Sequence, residues 1–222
     1  RRKLNSFEPM VRKRYLYYDS KFRENDFGIT IPPHIRQMYR SSLGWCAKAV
    51  DSLADRLIFR EFSNDLFSLN EIFNLNNPDI FFDSAILSAL ISSCCFIYIS
   101  MGNEGYPRLQ IIEGSEATGV IDPITGLLKV GYAVLDKTDN GNPKTEVIFL
   151  PDRTEYYLEG KLYSSVKNPA GIPLLVPIIY RPDAVRPFGR SRITRASMYF
   201  QAHAKRTLER ADVTAEFYSF PQ

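Results

Sequence analysis

Residues 186–222, RPFGRSRITRASMYFQAHAKRTLERADVTAEFYSFPQ, are the stretch around which the rest of the chain is organised. The stretch opens with a turn, Pro187-Phe188-Gly189, and then continues without proline or glycine over residues 190–220. Because that run is far longer than an average helix, it predicts one long C-terminal helix. Gly189 lies between Pro187-Phe188 and the helix start, so we expect its backbone to need a conformation that a side chain would oppose.

The predicted helix has two different faces when it is plotted at about 100° per residue. One face is apolar and rich in alanine, which permits close approach of another helix: Ile193, Ala196, Phe200, Ala204, Leu208, Ala211, Ala215 and Tyr218. The roughly opposite face carries four arginines: Arg192, Arg195, Arg206 and Arg210. Three acidic residues lie to one side, late in the helix: Glu209, Asp212 and Glu216. Spacing alone favours an ordinary surface helix with a solvated basic face.

The first part of the chain is predicted to be helical. Residues 1–23 carry apolar side chains at helical spacing, and the run Arg12-Lys13-Arg14 is interpreted as a solvated face, with a phosphate contact as the alternative. A second helix is predicted over residues 34–58, directly after Pro32-Pro33. This helix has a heptad-like apolar seam: Tyr39, Leu43, Cys46, Val50, Leu53 and Leu57.

Two further helices precede the β region. Residues 68–75 form a short one, with Ser68 as N-cap and Glu71 as its capping-box partner. Residues 79–94 form the other, which is predicted to run directly into a strand. Its inward side chains are expected to be Ile80, Ile86, Leu87, Leu90 and Ile91.

From Phe96 the hydrophobic pattern changes to a period of two. The predicted strands are residues 96–100, 107–112, 118–122, 127–137, 145–150, 154–158, 161–166 and 176–180. Hairpin signals separate several of them, so neighbouring strands are expected to pair antiparallel. The sequence therefore predicts an α+β fold: N-terminal helices, an antiparallel β meander to about Val166, and one long C-terminal helix.

Composition bounds the class of protein. The chain has 222 residues, 45% hydrophobic, and a net charge of +3, an excess too small to indicate nucleic-acid binding by itself. No apolar run approaches the roughly 18 residues of a membrane span, and the start lacks the apolar core of a signal peptide. Cys46, Cys94 and Cys95 are interpreted as small buried residues in a reducing compartment.

Catalytic and cofactor motifs are not found in the sequence. There is no nucleotide-binding glycine loop, and no spacing of aspartates and histidines suggests a metal centre. His34 and His203 have no nucleophile placed beside them by local sequence, so a catalytic role for either is not expected. We therefore predict a structural or binding protein, with no catalytic residue, cofactor or metal.

Two segments carry a resemblance to a known family. PFGRSRIT, followed by an alanine-bearing helix and AEFYSFPQ, resembles the portal proteins of tailed double-stranded-DNA bacteriophages, in the type found in long-tailed phages and prophages of Gram-positive bacteria. Residues 17–57, YYDSKFRENDFGITIPPHIRQMYRSSLGWCAKAVDSLADRL, are similar to an earlier segment of the same family. Between these two segments the chain matches the family mostly in pattern.

The resemblance implies a non-enzymatic subunit of a ring, usually dodecameric, at one vertex of the capsid. DNA is packaged and ejected through the channel of such a ring, while a separate terminase hydrolyses ATP. Implied partners are further copies of the chain, double-stranded DNA, terminase, capsid or scaffolding protein and the head-tail connector, with no membrane. The implied location is the virion, after assembly in the cytoplasm of the bacterial host.

The resemblance also implies a division of the chain. Residues 1–185 would form a wing-like α+β domain, and residues 186–222 a turn and a stem-like helix leading to a clip region. The chain lacks an initiating Met and stops inside the AEFYSFPQ match, so we expect it to be an N-terminal fragment. Arg192, Arg195, Arg206 and Arg210 are candidates to face DNA or a neighbouring subunit, and the alanine-rich face is a candidate for helix packing.

Two other functions remain open. One is a sequence-independent nucleic-acid-binding module of a phage or prophage nuclease, which would contact phosphates through the same four arginines. The other is a small monomeric α+β domain that binds no nucleic acid.

Overall fold

The computed structural model describes residues 1–22, 42–102 and 105–219. The helices in this part of the chain are α1 (Arg2–Tyr18), α2 (Trp45–Ala54), α3 (Leu69–Asn74), α4 (Pro78–Ser92) and α5 (Arg195–Ser219). The strands are β1 (Cys94–Met101), β2 (Pro107–Glu113), β3 (Ala117–Ile121), β4 (Leu128–Lys137), β5 (Pro143–Phe149), β6 (Arg153–Leu158), β7 (Lys161–Lys167) and β8 (Leu175–Ile179). This element order confirms the predicted α+β class.

The strands form two antiparallel sheets rather than one continuous meander. β3 to β7 follow one another as a five-stranded meander, as their hairpin signals predict. β1 and β2, however, belong to a separate three-stranded sheet of order β2-β1-β8, in which Phe96 pairs with Pro177. The segment after β7, which contains several prolines, thus brings β8 back to pair with β1. No local sequence pattern specifies this long-range pairing.

Two of the hydrophobic clusters join the sheets to each other and the helices to the C-terminal region. Between the sheets lie Phe96 and Phe149, both fully buried, and the ring of Tyr98 contacts the ring of Phe149 with centroids 5.2 Å apart. The second cluster joins α2 and α4 to the start of the C-terminal region: Cys46, Val50, Leu90, Ile91, Ile193 and Met198. Ile193 and Met198, which belong to the predicted second region of residues 186–222, therefore lie in one core with helices of the predicted first region, residues 1–185.

The helix predicted over residues 34–58 is shorter within the described residues. α2 spans only Trp45–Ala54, and residues 34–41, which include His34 and Tyr39, lie outside the described part. Cys46 and Val50 are fully buried, as the seam predicts, whereas Leu43 precedes the helix and Leu57 follows it. The prediction of a longer helix was wrong at its C-terminal end, because residues 55–58 leave the helical path.

Local capping at α3 also differs from the prediction. Ser68 has a left-handed backbone, with φ 55°, and its hydroxyl makes no cap hydrogen bond. The carboxylate of Asp65 takes that role, because it accepts hydrogen bonds from the backbone N–H groups of Leu69 and Asn70 at 2.7 Å each. In α4, Leu90 and Ile91 are buried as predicted, whereas Ile80 is 57% exposed.

The C-terminal helix begins five residues later than predicted. α5 starts at Arg195, and Thr194 is its N-cap, since the backbone N–H of Ser197 donates to Thr194 Oγ1 at 3.1 Å. Residues 190–194 are non-helical and connect the turn to the helix. Arg192 and Ile193, which were assigned to the two helix faces, therefore lie before the helix.

Candidate functional site

The segment PFGRSRIT, residues 187–194, joins the three-stranded sheet to the helices, and we call it the joint. Phe188 packs against the interior of the sheets, with its ring 6.2 Å from that of Phe96. Gly189 has φ +74°, and an added Cβ would lie 2.2 Å from the carbonyl oxygen of Tyr180 and 2.7 Å from Ile179 Cγ2. The expectation that Gly189 opposes a side chain is confirmed, through both its backbone conformation and the closeness of β8.

The backbone on either side of Gly189 is hydrogen-bonded across elements. The N–H of Arg190 donates to the carbonyl of Tyr180, and the N–H of Tyr180 donates to the carbonyl of Ser93, each at 2.9 Å. The guanidinium of Arg190 pairs with the carboxylate of Asp183. The joint is thus tied to the end of β8 and to Ser93, the single residue between α4 and β1.

The next residues of the joint cap the end of α4. The buried hydroxyl of Ser191 donates to the carbonyl of Ile91 at 2.6 Å, and the backbone N–H of Arg192 donates to the carbonyl of Leu90 at 2.8 Å. The last carbonyls of a helix have no partner within that helix. The joint supplies those partners, so its direction is set by the end of α4.

Two side chains from the C-terminal region hold α2. Gln201 is fully buried; its Oε1 accepts from the backbone N–H of Cys46 at 2.7 Å, and its Nε2 donates to the carbonyl of Tyr17 at 3.1 Å. Arg192 Nε donates to the carbonyl of Ala49 at 3.0 Å. These bonds fix the direction of α5 relative to α1 and α2. Sequence reasoning missed Gln201. Because Gln201 lies three residues after Met198, the two side chains share the face of α5 that packs inward.

The predicted apolar face of α5 lies on the outside of the single chain. The side that packs inward carries Met198 and Gln201, which are 5% and 0% exposed. Phe200 is 61% exposed and Leu208 is 43% exposed. Among the rest of that face, Ala204 is half-buried, while the others are exposed: Ala196, Ala211, Ala215 and Tyr218. We call this exposed face, from Ala196 to Tyr218, the apolar stripe.

The second half of α5 carries no fully buried side chain among those that the structure describes. Lys205 contacts the ring of Phe22, with Nζ 4.8 Å from the centroid. Beyond it, every side chain that the structure describes on α5 is half-buried or exposed. Residues 206–219 add about 20 Å of helix at 1.5 Å per residue. Within this length of helix, Arg206, Glu209 and Asp212 each have an interaction partner.

The four candidate arginines do not form one stripe. Arg192 precedes the helix and binds the Ala49 carbonyl, as described above. Arg206 is half-buried and engaged within the chain. Arg195 and Arg210 are exposed on α5. The proposed basic face is therefore reduced to two exposed arginines on the helix itself.

The charged run in α1 is not uniformly solvated. Arg12 and Lys13 are exposed, but Arg14 is half-buried and donates to the carbonyl of Ser92 at 2.6 Å. Burial lowers the pKa of Arg14 below its ordinary value. The adjacent Tyr15 hydroxyl donates to a carboxylate oxygen of Glu113 at 2.6 Å. The polar groups of Arg14 and Tyr15 thus bind other parts of the fold rather than solvent.

The cysteines and His203 show no arrangement for chemistry. Cys46, Cys94 and Cys95 are free and buried, and burial raises the pKa of the Cys94 and Cys95 thiols to about 12, which keeps them in the unreactive neutral form. His203 is exposed and stacks on Tyr199, with ring centroids 6.1 Å apart. Within the described residues, no group of His, Cys, Asp and Glu side chains could hold a metal ion.

None of the helices in the described ranges combines the length and the apolar character needed to cross a lipid bilayer. No protein-family model matches this chain, and no curated protein matches it. The likeness to portal proteins therefore depends on the two quoted segments alone.

Proposed function

We propose that this chain is a subunit of a phage portal, a ring at the capsid vertex through which DNA is packaged and ejected. The observation that carries the proposal is the apolar stripe of α5, which faces outward although its aromatic and aliphatic side chains favour burial. A stripe rich in alanine suits close helix packing, and a second copy of the chain supplies the covering surface. Identical subunits joined head to tail form a ring when the rotation between neighbours closes.

The joint supports the same proposal. Because hydrogen bonds to the carbonyls of Tyr180, Leu90 and Ala49 fix the path of the joint, α5 starts in one direction. A ring requires such a fixed angle, since every subunit must present its helix identically. In the PFGRSRIT segment of the resemblance, the residues from Phe188 to Thr194 each make a structural contact.

The small net charge also fits a channel. DNA that must slide through a ring is hindered by strong phosphate binding, because each neutralised phosphate adds affinity. The chain has a net charge of only +3, so its overall charge adds little general attraction for phosphate. In this proposal the implied partners remain double-stranded DNA, terminase, capsid or scaffolding protein and the head-tail connector, in the virion.

The nuclease-module alternative has less support from the positions of the arginines. A phosphate-binding face requires several free cations close together. Two of the four candidates, Arg192 and Arg206, are engaged within the chain. If DNA affinity of the isolated chain nevertheless falls steeply with added salt, the alternative gains and the portal proposal loses.

The test of the portal proposal is a pair of substitutions on α5 in the full-length protein. Ala211→Glu places a charge in the apolar stripe, where Ala211 is exposed in the single chain. The monomer should keep its melting temperature, whereas ring assembly should fail because a buried, unpaired charge costs several kcal/mol, on the order of 3–5. Arg195→Gln, off the stripe, is the matched control and should leave rings intact.

Electron microscopy and the DNA content of assembled particles are the two measurements. Rings formed normally by Ala211→Glu would show that the stripe is not a subunit contact. Loss of rings in Arg195→Gln with normal rings in Ala211→Glu would mean that the two faces of α5 are assigned the wrong way round.

A further inference from the structure

A pocket lies between the C-terminal end of α2 and one face of α4, and we call it the α2–α4 pocket. Its volume is about 340 Å³. Its apolar lining includes Leu57, Ile58 and Leu87, and Ile58 is 76% exposed. Ile80 lies on the same face of α4 as Leu87, seven residues away, and is 57% exposed. The pocket thus continues into uncovered apolar surface along α4.

Three carboxylates line this apolar pocket: Asp51, Asp55 and Asp83. Asp51 accepts a hydrogen bond from the hydroxyl of Tyr18 at 2.8 Å, a neutral partner that leaves its charge in place. In the described part of the chain, none of the three carboxylates forms an ion pair. The pocket is therefore apolar and negatively charged, which suits a helix with apolar and basic residues.

The outer side of α5 has that composition. Phe200, Thr207 and Ala211 follow one another at helical spacing, and Arg210 flanks them. All four residues are exposed in the single chain. From Phe200 to Arg210 the helix rises about 15 Å, which is about 5 Å more than the distance from Ile80 to Leu87 along α4. The long, flexible side chain of Arg210 can reach back over that difference.

A chain cannot fill its own pocket in this way. The joint and α5 of the same chain are attached to the first half of α2, through Arg192 at Ala49 and Gln201 at Cys46. The pocket lies at the C-terminal end of α2, where Asp51, Ala54 and Asp55 line it. A single chain therefore carries two different, complementary surfaces, which is what a head-to-tail contact between copies requires.

We propose that the α2–α4 pocket binds the α5 helix of a second copy of this chain, with Phe200 against the apolar lining and Arg210 beside Asp55 and Asp83. This inference rests on the proposed ring and names the second surface of its subunit contact. It places the contact between the stem-like helix of one subunit and the helical layer of the next.

Charge reversal with rescue tests the contact in the full chain. Asp55→Arg and Arg210→Glu should each raise the protein concentration at half-assembly by about tenfold or more, because like charges then face each other. The double variant, Asp55→Arg with Arg210→Glu, should return that concentration to within about threefold of the parent, since it restores opposite charges. Assembly is followed by light-scattering mass against protein concentration.

Two controls separate charge from folding. Asp139→Arg makes the same charge change in the β4–β5 turn, outside the pocket, and should leave assembly unchanged. Asp55 follows the last residue of α2, where a cation is favourable, and Arg210 is exposed, so the monomers should keep the parent melting temperature.

The outcomes distinguish the inference from the proposed function. If the parent assembles but the double variant is no better than the two single variants, the pocket is not the partner of α5, and the ring proposal stands. The same conclusion follows if neither single variant weakens assembly. If the parent stays monomeric at all concentrations, both the ring and this contact are refuted.

Discussion

Gly189 provides a sharp test of how the joint is built, through the substitution Gly189→Ala. The added methyl group would lie 2.2 Å from the carbonyl oxygen of Tyr180 and 3.1 Å from that of Ser93, and both are backbone atoms that cannot rotate away. The chain must therefore separate the joint from β8 by about 1 Å to restore normal contact distances.

The cost can be worked from two contributions. A non-glycine residue at φ +74° costs about 1 kcal/mol. Making room for the methyl group beside these two carbonyls also weakens the backbone hydrogen bonds that they accept, from Arg190 N–H to Tyr180 and from Tyr180 N–H to Ser93, at about 1–2 kcal/mol each. Together these give a loss of about 3–5 kcal/mol in the free energy of unfolding, which for a chain of this size lowers the melting temperature by about 6–20 °C.

Gly171→Ala is the matched control for the backbone contribution. Gly171 has φ +70°, close to that of Gly189, but an added Cβ there would meet no atom within 4 Å. Its loss should be about 1 kcal/mol, or about 2–4 °C in melting temperature. Differential scanning calorimetry of both variants measures the difference directly. Equal shifts for the two variants would refute the reasoning, because the contact with β8 would then add nothing.

Two further predictions concern buried polar groups. Gln201→Leu leaves a backbone N–H and a carbonyl without partners and should lower the free energy of unfolding in urea by about 2–4 kcal/mol. The exposed control Thr207→Leu should lower it by less than about 0.5 kcal/mol. Similar losses for the two variants would contradict a stabilising role of the Gln201 hydrogen bonds to α1 and α2. Glu146 has its pKa held below the ordinary value by hydrogen bonds from Arg1, so the stability it contributes is present above the unfolded pKa and lost as pH falls through the folded one. Glu146→Gln should flatten the acid limb of stability below about pH 4, and an unchanged limb would assign it to another carboxylate.

The elements with strong local signals could be predicted from the sequence. All eight strands were found to within a few residues, because alternation and turn residues such as Gly126 and Gly160 are local features with one dominant outcome. The sequence also predicts that Gly189 needs a conformation that a side chain would oppose, because it lies between Pro187-Phe188 and a helix start. What local sequence could not supply was the pairing of β8 with β1, about 80 residues apart, which divides the strands into two sheets.

The candidate site was predicted less well, because its geometry depends on which face of α5 packs against the rest of the chain. α5 has one row containing Met198 and Gln201 and another containing Phe200 and Ala211, and local spacing does not say which the body will cover. The partners of Gln201 lie on α1 and α2, more than 150 residues away in sequence. The apolar stripe was recognised, but its outward direction follows only from the joint and from that buried glutamine.

The central claim is that a second copy of the chain covers the outward apolar stripe of α5, and negative-stain electron microscopy of the full-length protein tests it most directly. The account predicts closed rings with a central channel, at a mass that light scattering gives as a multiple of the subunit mass. Isolated particles of single-subunit mass at all concentrations would contradict it.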